Sequence, residues 1–465
     1  MIERWIAVIA MSFAIAAPAQ AATDIERVVS PGGIEAWLVS DDTLPVIAMD
    51  FAFRGGAAQD PADKPGIANL MSGLLDEGAG DLTAREFQER LEDSAVEMSF
   101  DIGQDAFYGR IRTLAENRAE AFEMLRLAVN EPRFDADAVE RIRSRIGAQL
   151  RRDANDPGSV ARRTFYAMAY PDHPYGRPSE GTAETVAAIT RDDLVGYHGR
   201  TFARDNLVVV AVGAIDAAGL AAALDEVFGA LPEKADLAPV PEVTLAGVGD
   251  TRVVELNVPQ TTLIFGRPGL KREDEDFIPA FVLNHILGGG SFTSRLFTEV
   301  REKRGLSYGV YTGTAALDHT GLLVGSVATR NDRARESMEV IAAEMKKIVA
   351  EPPSPEELDK AKRFLTGSYA LRFDSSTKIS RQLLQIRLDG LGIDYVDRRN
   401  GLIEAVTRED LARAAARLVG DGALLVAAAG KPEGLANGST PAGSGAAAPA
   451  REAVPAASEP TAPAR

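Results

Sequence analysis

The chain has no cysteine and only four histidines among its 465 residues. The lack of cysteine excludes disulfides, thiolate zinc sites, iron–sulfur clusters and thiol nucleophiles. The histidines stand at positions 173, 198, 285 and 319, so no two have the i, i+4 spacing of metal ligands on one helix. Basic charge is also in deficit: the net charge of −17 argues against a protein that binds nucleic-acid phosphates.

Long apolar runs are absent after the first residues of the chain. Residues 1–21 read as a signal peptide, with Arg4, an apolar run at 5–17 and a small-x-small cleavage site at 19–21. That run is shorter than the roughly 20 residues of a spanning helix. We therefore expect export to the periplasm, with secretion as the alternative, and no membrane span after signal cleavage. At the other end, residues 433–465 are rich in Ala, Pro, Gly and Ser, which predicts a disordered tail.

The segment between these ends is duplicated. The sequence ITRDDL at 189–194 recurs as VTREDL at 406–411, and Asn-Glu-Pro at 130–132 resembles Ala-Glu-Pro at 350–352. The two pairs of matches have offsets of 217 and 220 residues, which favours an internal duplication over chance. We predict an N-terminal unit at 22–230, a linker rich in Pro, Ala and acidic residues at 231–250, and a C-terminal unit at 251–432.

Hydrophobic periodicity predicts both strands and helices in each unit. In the first unit, residues 46–53 alternate as a strand, 66–77 have helical spacing, and 98–102 and 106–111 read as paired strands. Long helices are expected at 116–130 and 136–152. These elements predict an α+β fold made by tandem duplication of an α/β-sandwich unit, in which helices cover an antiparallel-rich sheet.

The most informative segment is residues 288–308, GGGSFTSRLFTEVREKRGLSY. It reads as a glycine-rich turn, an amphipathic helix with basic residues in its last turn, a glycine C-cap and a strand. It resembles the C-terminal-half motif of the pitrilysin/insulinase family of zinc peptidases, the inverzincins, and the resemblance covers roughly residues 25–430. It implies a clam-shell fold whose units enclose a chamber for an extended peptide.

The resemblance assigns roles to residues of this segment. Arg301 and Tyr308 match the arginine and tyrosine that bind the substrate backbone and the developing oxyanion. A phenol O–H and a guanidinium suit that chemistry, because peptide hydrolysis places negative charge on the carbonyl oxygen. The alternative is that Arg301 caps a helix and Tyr308 packs on a sheet. The loop formed by Gly288, Gly289, Gly290 and Ser291 would border the chamber, or would be only a tight turn.

The zinc motif of that family is missing. The family carries H-x-x-E-H on a helix of the first half, and Asn69, Ser72 and Gly73 stand at the histidine and glutamate positions here. The helix expected to supply a third ligand has no acidic residue between Glu140 and residue 152. Asp76 and Glu77 lie nearby, but two carboxylates alone make a poor zinc site. We therefore predict no metal in this chain.

Together these features predict a non-catalytic subunit of a periplasmic heterodimeric zinc metallopeptidase. Zinc is expected in a partner subunit of the same family, and this chain would contribute Arg301 and Tyr308 to peptide hydrolysis. The alternative is a metal-free, chaperone-like homodimer that binds peptides without cutting them. An active zinc peptidase is the third and least favoured interpretation. His173 and His285 are both interpreted as structural residues.

Overall fold

The computed structural model describes residues 24–439. The predicted signal peptide and residues 440–465 of the predicted tail lie outside this range. The described chain forms two mixed helix-and-sheet halves, each built on a six-stranded sheet. The predicted α+β fold class is confirmed.

From residue 24 onward, the first half contains eight strands and eight α-helices. The strands are β1 (Glu26–Val29), β2 (Glu35–Ser40), β3 (Val46–Arg54), β4 (Gly78–Ala79), β5 (Leu82–Thr83), β6 (Glu97–Ile102), β7 (Ala106–Leu114) and β8 (Leu207–Gly213). The helices are α1 (Ile67–Ser72), α2 (Ala84–Asp93), α3 (Arg118–Asn130), α4 (Ala136–Asp153), α5 (Pro157–Ala169), α6 (Ala183–Ala188), α7 (Arg191–Thr201) and α8 (Ala217–Phe228).

The second half has six strands and seven α-helices within the described residues. The strands are β9 (Asp250–Glu255), β10 (Gln260–Pro268), β11 (Ser307–Leu317), β12 (Thr320–Arg330), β13 (Leu425–Gly430) and β14 (Gly438–Ser439). The helices are α9 (Phe277–Asn284), α10 (Arg295–Phe297), α11 (Ala334–Ala350), α12 (Pro355–Gly367), α13 (Ser376–Leu388), α14 (Tyr395–Ala405) and α15 (Arg408–Leu418).

The two sheets have equivalent strand orders. The first runs β1-β2-β8-β3-β7-β6, and the second runs β14-β9-β13-β10-β12-β11. In both, the strand that follows the repeated Thr-Arg-acid-Asp-Leu motif lies at the centre, antiparallel to β3 or β10 and parallel to β2 or β9. The repeat itself begins a helix in the same way twice, since Thr190 and Thr407 each form a capping box with the aspartate three residues later.

The edge strand distinguishes the halves. In the first sheet the edge strand β1 precedes β2, whereas in the second sheet the equivalent place is taken by β14 from the far end of the chain. Asn437 Oδ1 accepts a hydrogen bond of 2.6 Å from Val253 N, and Glu433 N donates to Asn331 O. Residues 438–439 therefore add an edge strand to the sheet, and Glu433 and Asn437 hold the chain that leads to it. Composition predicts disorder from residue 433 onward, but residues 433–439 make hydrogen bonds with the second half, and residues 438–439 pair as a strand, which composition does not encode.

Each sheet has one face covered by helices of its own half. Buried side chains of the first sheet, including Phe51, Phe53 and Phe107, pack in one core with α1, α3 and α8. The second sheet buries Leu263 and Phe265 with residues of α9, α11 and α15. These two cores are the sandwich units predicted from the sequence.

The opposite faces of the sheets are crossed by a helix from the other half. Helix α5 packs its Phe165 against β10 and β13 of the second sheet, while α13 packs its Leu383 against β3 and β8 of the first. Both helices have 13 residues, and they begin at 157 and 376, an offset of 219 that matches the repeat. We call α5 and α13 the crossing helices. This exchange ties the halves together on a second pair of apolar cores.

Within residues 24–439, no helix combines the length and the apolar composition needed to cross a membrane.

Candidate functional site

The degenerate zinc motif lies on α1, and its local fold is well determined. The helix begins after Gly66, which has a φ of 102°. The buried Asp60 carboxylate accepts hydrogen bonds from the backbone N–H of Gly66 at 2.6 Å and of Ala68 at 3.1 Å. Burial raises the pKa of Asp60 to about 7, despite these hydrogen bonds. The helix has therefore kept its structure although its motif has lost the residues that bind zinc.

A cleft of about 550 Å³ lies beside Asn69, Ser72 and Gly73. Ser72 Oγ donates to Asn69 O at 2.9 Å, so the hydroxyl is already engaged within its own helix. A Cβ atom at Gly73 would lie 2.8 Å from Nη2 of Arg145, a residue of α4. A guanidinium therefore occupies the space beside the position where the motif would place a histidine.

The donor set at this cleft does not fit zinc. Its acidic residues include Asp76 and Glu77, and Glu77 is engaged at 2.5 Å by Arg141. Burial raises the pKa of Asp76, which disfavours its charged form. Within residues 24–439, no group of three or more His, Cys, Asp or Glu side chains is placed to hold a metal ion.

Arg301 and Tyr308 lie together in the second half. The Cζ atom of Arg301 is 4.3 Å from the centre of the Tyr308 ring, 4.9 Å from that of Phe297 and 5.8 Å from that of Phe292. These are cation–π distances, and the rings hold the guanidinium between them. Tyr308 is 85% exposed, so its hydroxyl is open to a ligand. The simple alternative, a tyrosine packed on the sheet, does not fit this exposure.

A β-bulge explains why Tyr308 projects from the sheet. Ser307 pairs with Thr329 and Val310 with Val327, so that two residues of β11 stand opposite one residue of β12. Ser307 Oγ lies 2.6 Å from Ala328 O, which supplies a side-chain partner at the point where the ladder is interrupted. Bulges of this kind redirect a side chain from the regular pleat.

The segment before β11 also departs from regular helix. The sequence predicts one amphipathic helix over it, whereas the structure has a short α-turn, α10, followed by a π-helix at Thr298–Glu302. Gly305 ends it as predicted, with a φ of 59°. The wider π-turn adds a residue to the turn that carries Arg301.

Contacts from α12 anchor this segment. Arg295 Nε and Nη2 donate to the two carboxylate oxygens of Glu357 at 2.7 and 2.9 Å. The hydrogen bonds from Arg295 lower the pKa of Glu357 to about 2. A bidentate pair of this kind fixes orientation as well as distance. The start of the segment is thereby held while Tyr308 stays exposed at its end.

The glycine-rich loop is tightly packed. A Cβ at Gly288 would lie 2.3 Å from Thr312 Oγ1, one at Gly289 2.8 Å from Asn284 Nδ2, and one at Gly290 2.6 Å from His285 O. Ser291 has a φ of 49°, which a non-glycine residue rarely adopts. The glycines are therefore required for a tight turn. The turn also presents Phe292, which is 67% exposed beside Arg301. The loop can therefore be a tightly packed turn and still border a substrate chamber.

The histidines have structural contacts. His173 is buried, accepts a hydrogen bond from Tyr175 N at Nδ1 and lies 3.0 Å from Pro241 O through Nε2. The ring of His285 stacks on Phe364 at 5.0 Å, and burial lowers the pKa of His285.

Sequence reasoning missed Phe292 and Arg145 as neighbours of the two sites. A bulky aromatic within a Gly-Ser-Thr loop was a usable signal for Phe292, whereas Arg145 is brought to α1 only by tertiary packing.

Comparison with known proteins agrees with this arrangement. Residues 188–365 match a family model described as the peptidase M16 inactive domain. This segment of the chain is therefore similar to the peptidase M16 family. The fold of the family is also present in a solved peptidase M16 inactive domain from Pseudomonas fluorescens, with a TM-score of 0.83 and 26% identity over 90% of this chain and 100% of that one. The sequence-based assignment to the pitrilysin/insulinase peptidases is confirmed.

Two relatives carry names that differ about activity. The chain is 28% identical over 331 residues to the non-peptidase homolog YmxG of Helicobacter pylori, covering 71% of this chain and 76% of the relative. It is 26% identical over 403 residues to an uncharacterized zinc protease of Streptomyces coelicolor, covering 84% and 86%. Similarity to these relatives therefore does not decide whether this chain is active, and its activity has to be argued from the site.

Proposed function

We propose that this chain is the non-catalytic subunit of a periplasmic heterodimeric zinc metallopeptidase. The observation that carries the proposal is the contrast between its two halves. The α1 surface offers Asn69, Ser72 and Gly73, which cannot hold zinc, while the second half presents Arg301 and an exposed Tyr308 side by side. The zinc would be carried by a partner subunit of the same family.

Arg301 and Tyr308 suit the stabilisation of a peptide carbonyl oxygen. The phenol O–H and the guanidinium N–H groups are donors, and negative charge develops on that oxygen during hydrolysis. The rings of Phe297 and Tyr308 hold the guanidinium without using its N–H groups, since the Arg301 side chain makes no hydrogen bond or ion pair with any residue between 24 and 439. These donors remain free for a substrate presented by the partner.

The second candidate is a metal-free homodimer that binds peptides without cleaving them. It is supported by the similarity to a relative named a non-peptidase homolog and by the same α1 surface. In that case the exposed residues Phe292 and Tyr308 would contact a bound peptide rather than a reacting one. Co-purification from the native host separates the candidates, because only the heterodimer brings down a related chain with H-x-x-E-H.

The oxyanion role is tested by Tyr308→Phe in the complex with that partner. Removal of one such donor is expected to lower kcat about 100-fold to 1,000-fold, with a smaller change in KM. Tyr311→Phe is the matched control, because Tyr311 is also an exposed tyrosine of β11 and is expected to keep wild-type kcat. Undiminished cleavage by the Tyr308→Phe complex would remove the oxyanion role.

A further inference from the structure

A cleft of about 530 Å³ lies where the crossing helix α13 meets the first sheet. Its wall combines cationic, amide and apolar side chains. Four of them are cationic: Arg110, Arg372, Lys378 and Arg381. Among the described residues that line the cleft, Asp50 is the only acidic one. This excess of positive charge stands in a chain whose net charge is −17. We call it the basic cleft.

Internal contacts use only part of this positive charge. Asp50 is buried and accepts hydrogen bonds from Arg110 Nε at 3.2 Å and from Ser380 Oγ. Its carboxylate therefore pairs with Arg110 and links α13 to the sheet. Lys378 pairs with Asp374 at 2.7 Å. The side chains of Arg372 and Arg381 are exposed and form no hydrogen bond or ion pair with any residue between 24 and 439. Two guanidiniums in one cleft are therefore available to an anionic ligand.

A second space of about 530 Å³ shares the lining residues Asp50, Arg110 and Arg381 with the basic cleft. This neighbouring space has apolar walls from Leu91, Val96 and Ile111. Its acidic lining residues are Asp50, Glu92 and Glu97, and Glu97 lies 3.3 Å from Arg112. On the basic side, Leu371 is 70% exposed at the wall. The combined space exceeds what a single small anion fills, and it offers apolar contacts next to the free guanidiniums.

We propose that the basic cleft binds an acidic segment of an extended polypeptide. Its carboxylates would pair with Arg372 and Arg381, and a neighbouring apolar side chain would occupy the space beside Leu91 and Ile111. Guanidinium–carboxylate hydrogen bonds are among the stronger polar contacts available to such a ligand. This inference goes beyond the proposed function, because it concerns the first sheet and does not depend on Arg301, Tyr308 or a partner subunit.

The test is direct binding by the purified full chain, measured by fluorescence polarisation. The probe is a labelled peptide of glutamate, serine and glycine with a single leucine, and its counterpart has glutamine in place of every glutamate. We expect the glutamate peptide to bind and the glutamine peptide to bind at least about tenfold more weakly. Added salt should weaken the glutamate peptide selectively.

The variant that removes the site is the double charge reversal Arg372→Glu with Arg381→Glu. It should weaken the glutamate peptide at least about tenfold while leaving the unfolding midpoint unchanged, because both side chains are exposed and unpartnered. Arg162→Glu is the matched control. Arg162 lies on the crossing helix α5, 219 residues before Arg381, and should keep wild-type affinity within about twofold.

Three results would overturn the inference: equal binding of the glutamine peptide, full affinity in the double variant, or an equal loss in Arg162→Glu. The last would mean that any exposed arginine contributes and that the basic cleft is not a specific site. None of these measurements involves cleavage, so a failure here is distinct from a failure of the oxyanion role.

Discussion

The two crossing helices occupy equivalent places but make chemically different contacts. On the first sheet, Asp50 lies opposite Val210, and Val210 is three residues before the glycine that ends β8. On the second sheet, Ile264 lies opposite Ala427, three residues before the glycine that ends β13. The first position holds a buried carboxylate with ionic and hydrogen-bonded partners, and the second holds a buried aliphatic side chain.

The crossing helices show the same difference, with a polar residue on α13 and an apolar residue at the equivalent position of α5. Ser380 of α13, which donates to Asp50, corresponds to Ala161 of α5, which is buried against the second sheet. One duplicated framework therefore tolerates either a polar network or an apolar contact at the same place. The polar version leaves a basic cleft beside α13, so the duplication has preserved the packing while the two surfaces have diverged.

The largest expected effect concerns the apolar crossing. Phe165→Ala should destabilise the protein by about 3–5 kcal/mol, because the ring is fully buried against the second sheet, where a Cβ at Gly266 would approach it to 2.7 Å. Chemical denaturation followed by circular dichroism measures the change. Leu383→Ala on α13 is the counterpart, expected to cost about 2–5 kcal/mol. A negligible loss in either variant would show that its helix is not part of the cooperative core.

A smaller effect is expected at the polar crossing. Asp50→Ala should cost about 2 kcal/mol, since it removes the acceptor of Arg110 Nε and leaves the buried Ser380 hydroxyl only its longer hydrogen bond to Thr377 O. The same denaturation experiment measures it. Asp50→Asn serves as a control that keeps one acceptor oxygen and should lose less. If the Asp50→Ala variant proved as stable as the wild type, the polar network around Asp50 would make no net contribution to the free energy of unfolding.

Much of the fold follows from local patterns. The alternation at 46–53 and the helical spacing at 116–130 and 136–152 predict elements that the structure contains. These patterns do not predict that α5 packs on the second sheet and α13 on the first. The apolar face of a helix indicates that the face is buried, but it does not indicate which sheet covers it. The strand β14 was missed for a similar reason: residues 438–439 gain their structure from pairing with β9, far away in sequence.

The part of the candidate site that lies in one continuous segment of the sequence could be predicted. Arg301 and Tyr308 are seven residues apart, and both lie in the motif at 288–308. The bulge that exposes Tyr308 depends on the pairing with β12 and could not be read from that segment. Likewise, Arg145 reaches Gly73 only because α4 packs beside α1.

The central claim is that catalytic zinc resides in a partner and that this chain completes the site. The most direct measurement is the zinc content and peptide cleavage of the purified chain alone, of the H-x-x-E-H partner alone, and of their mixture. We expect stoichiometric zinc only in the partner, and full cleavage only in the mixture. Stoichiometric zinc in this chain, or cleavage by it alone, would contradict the account.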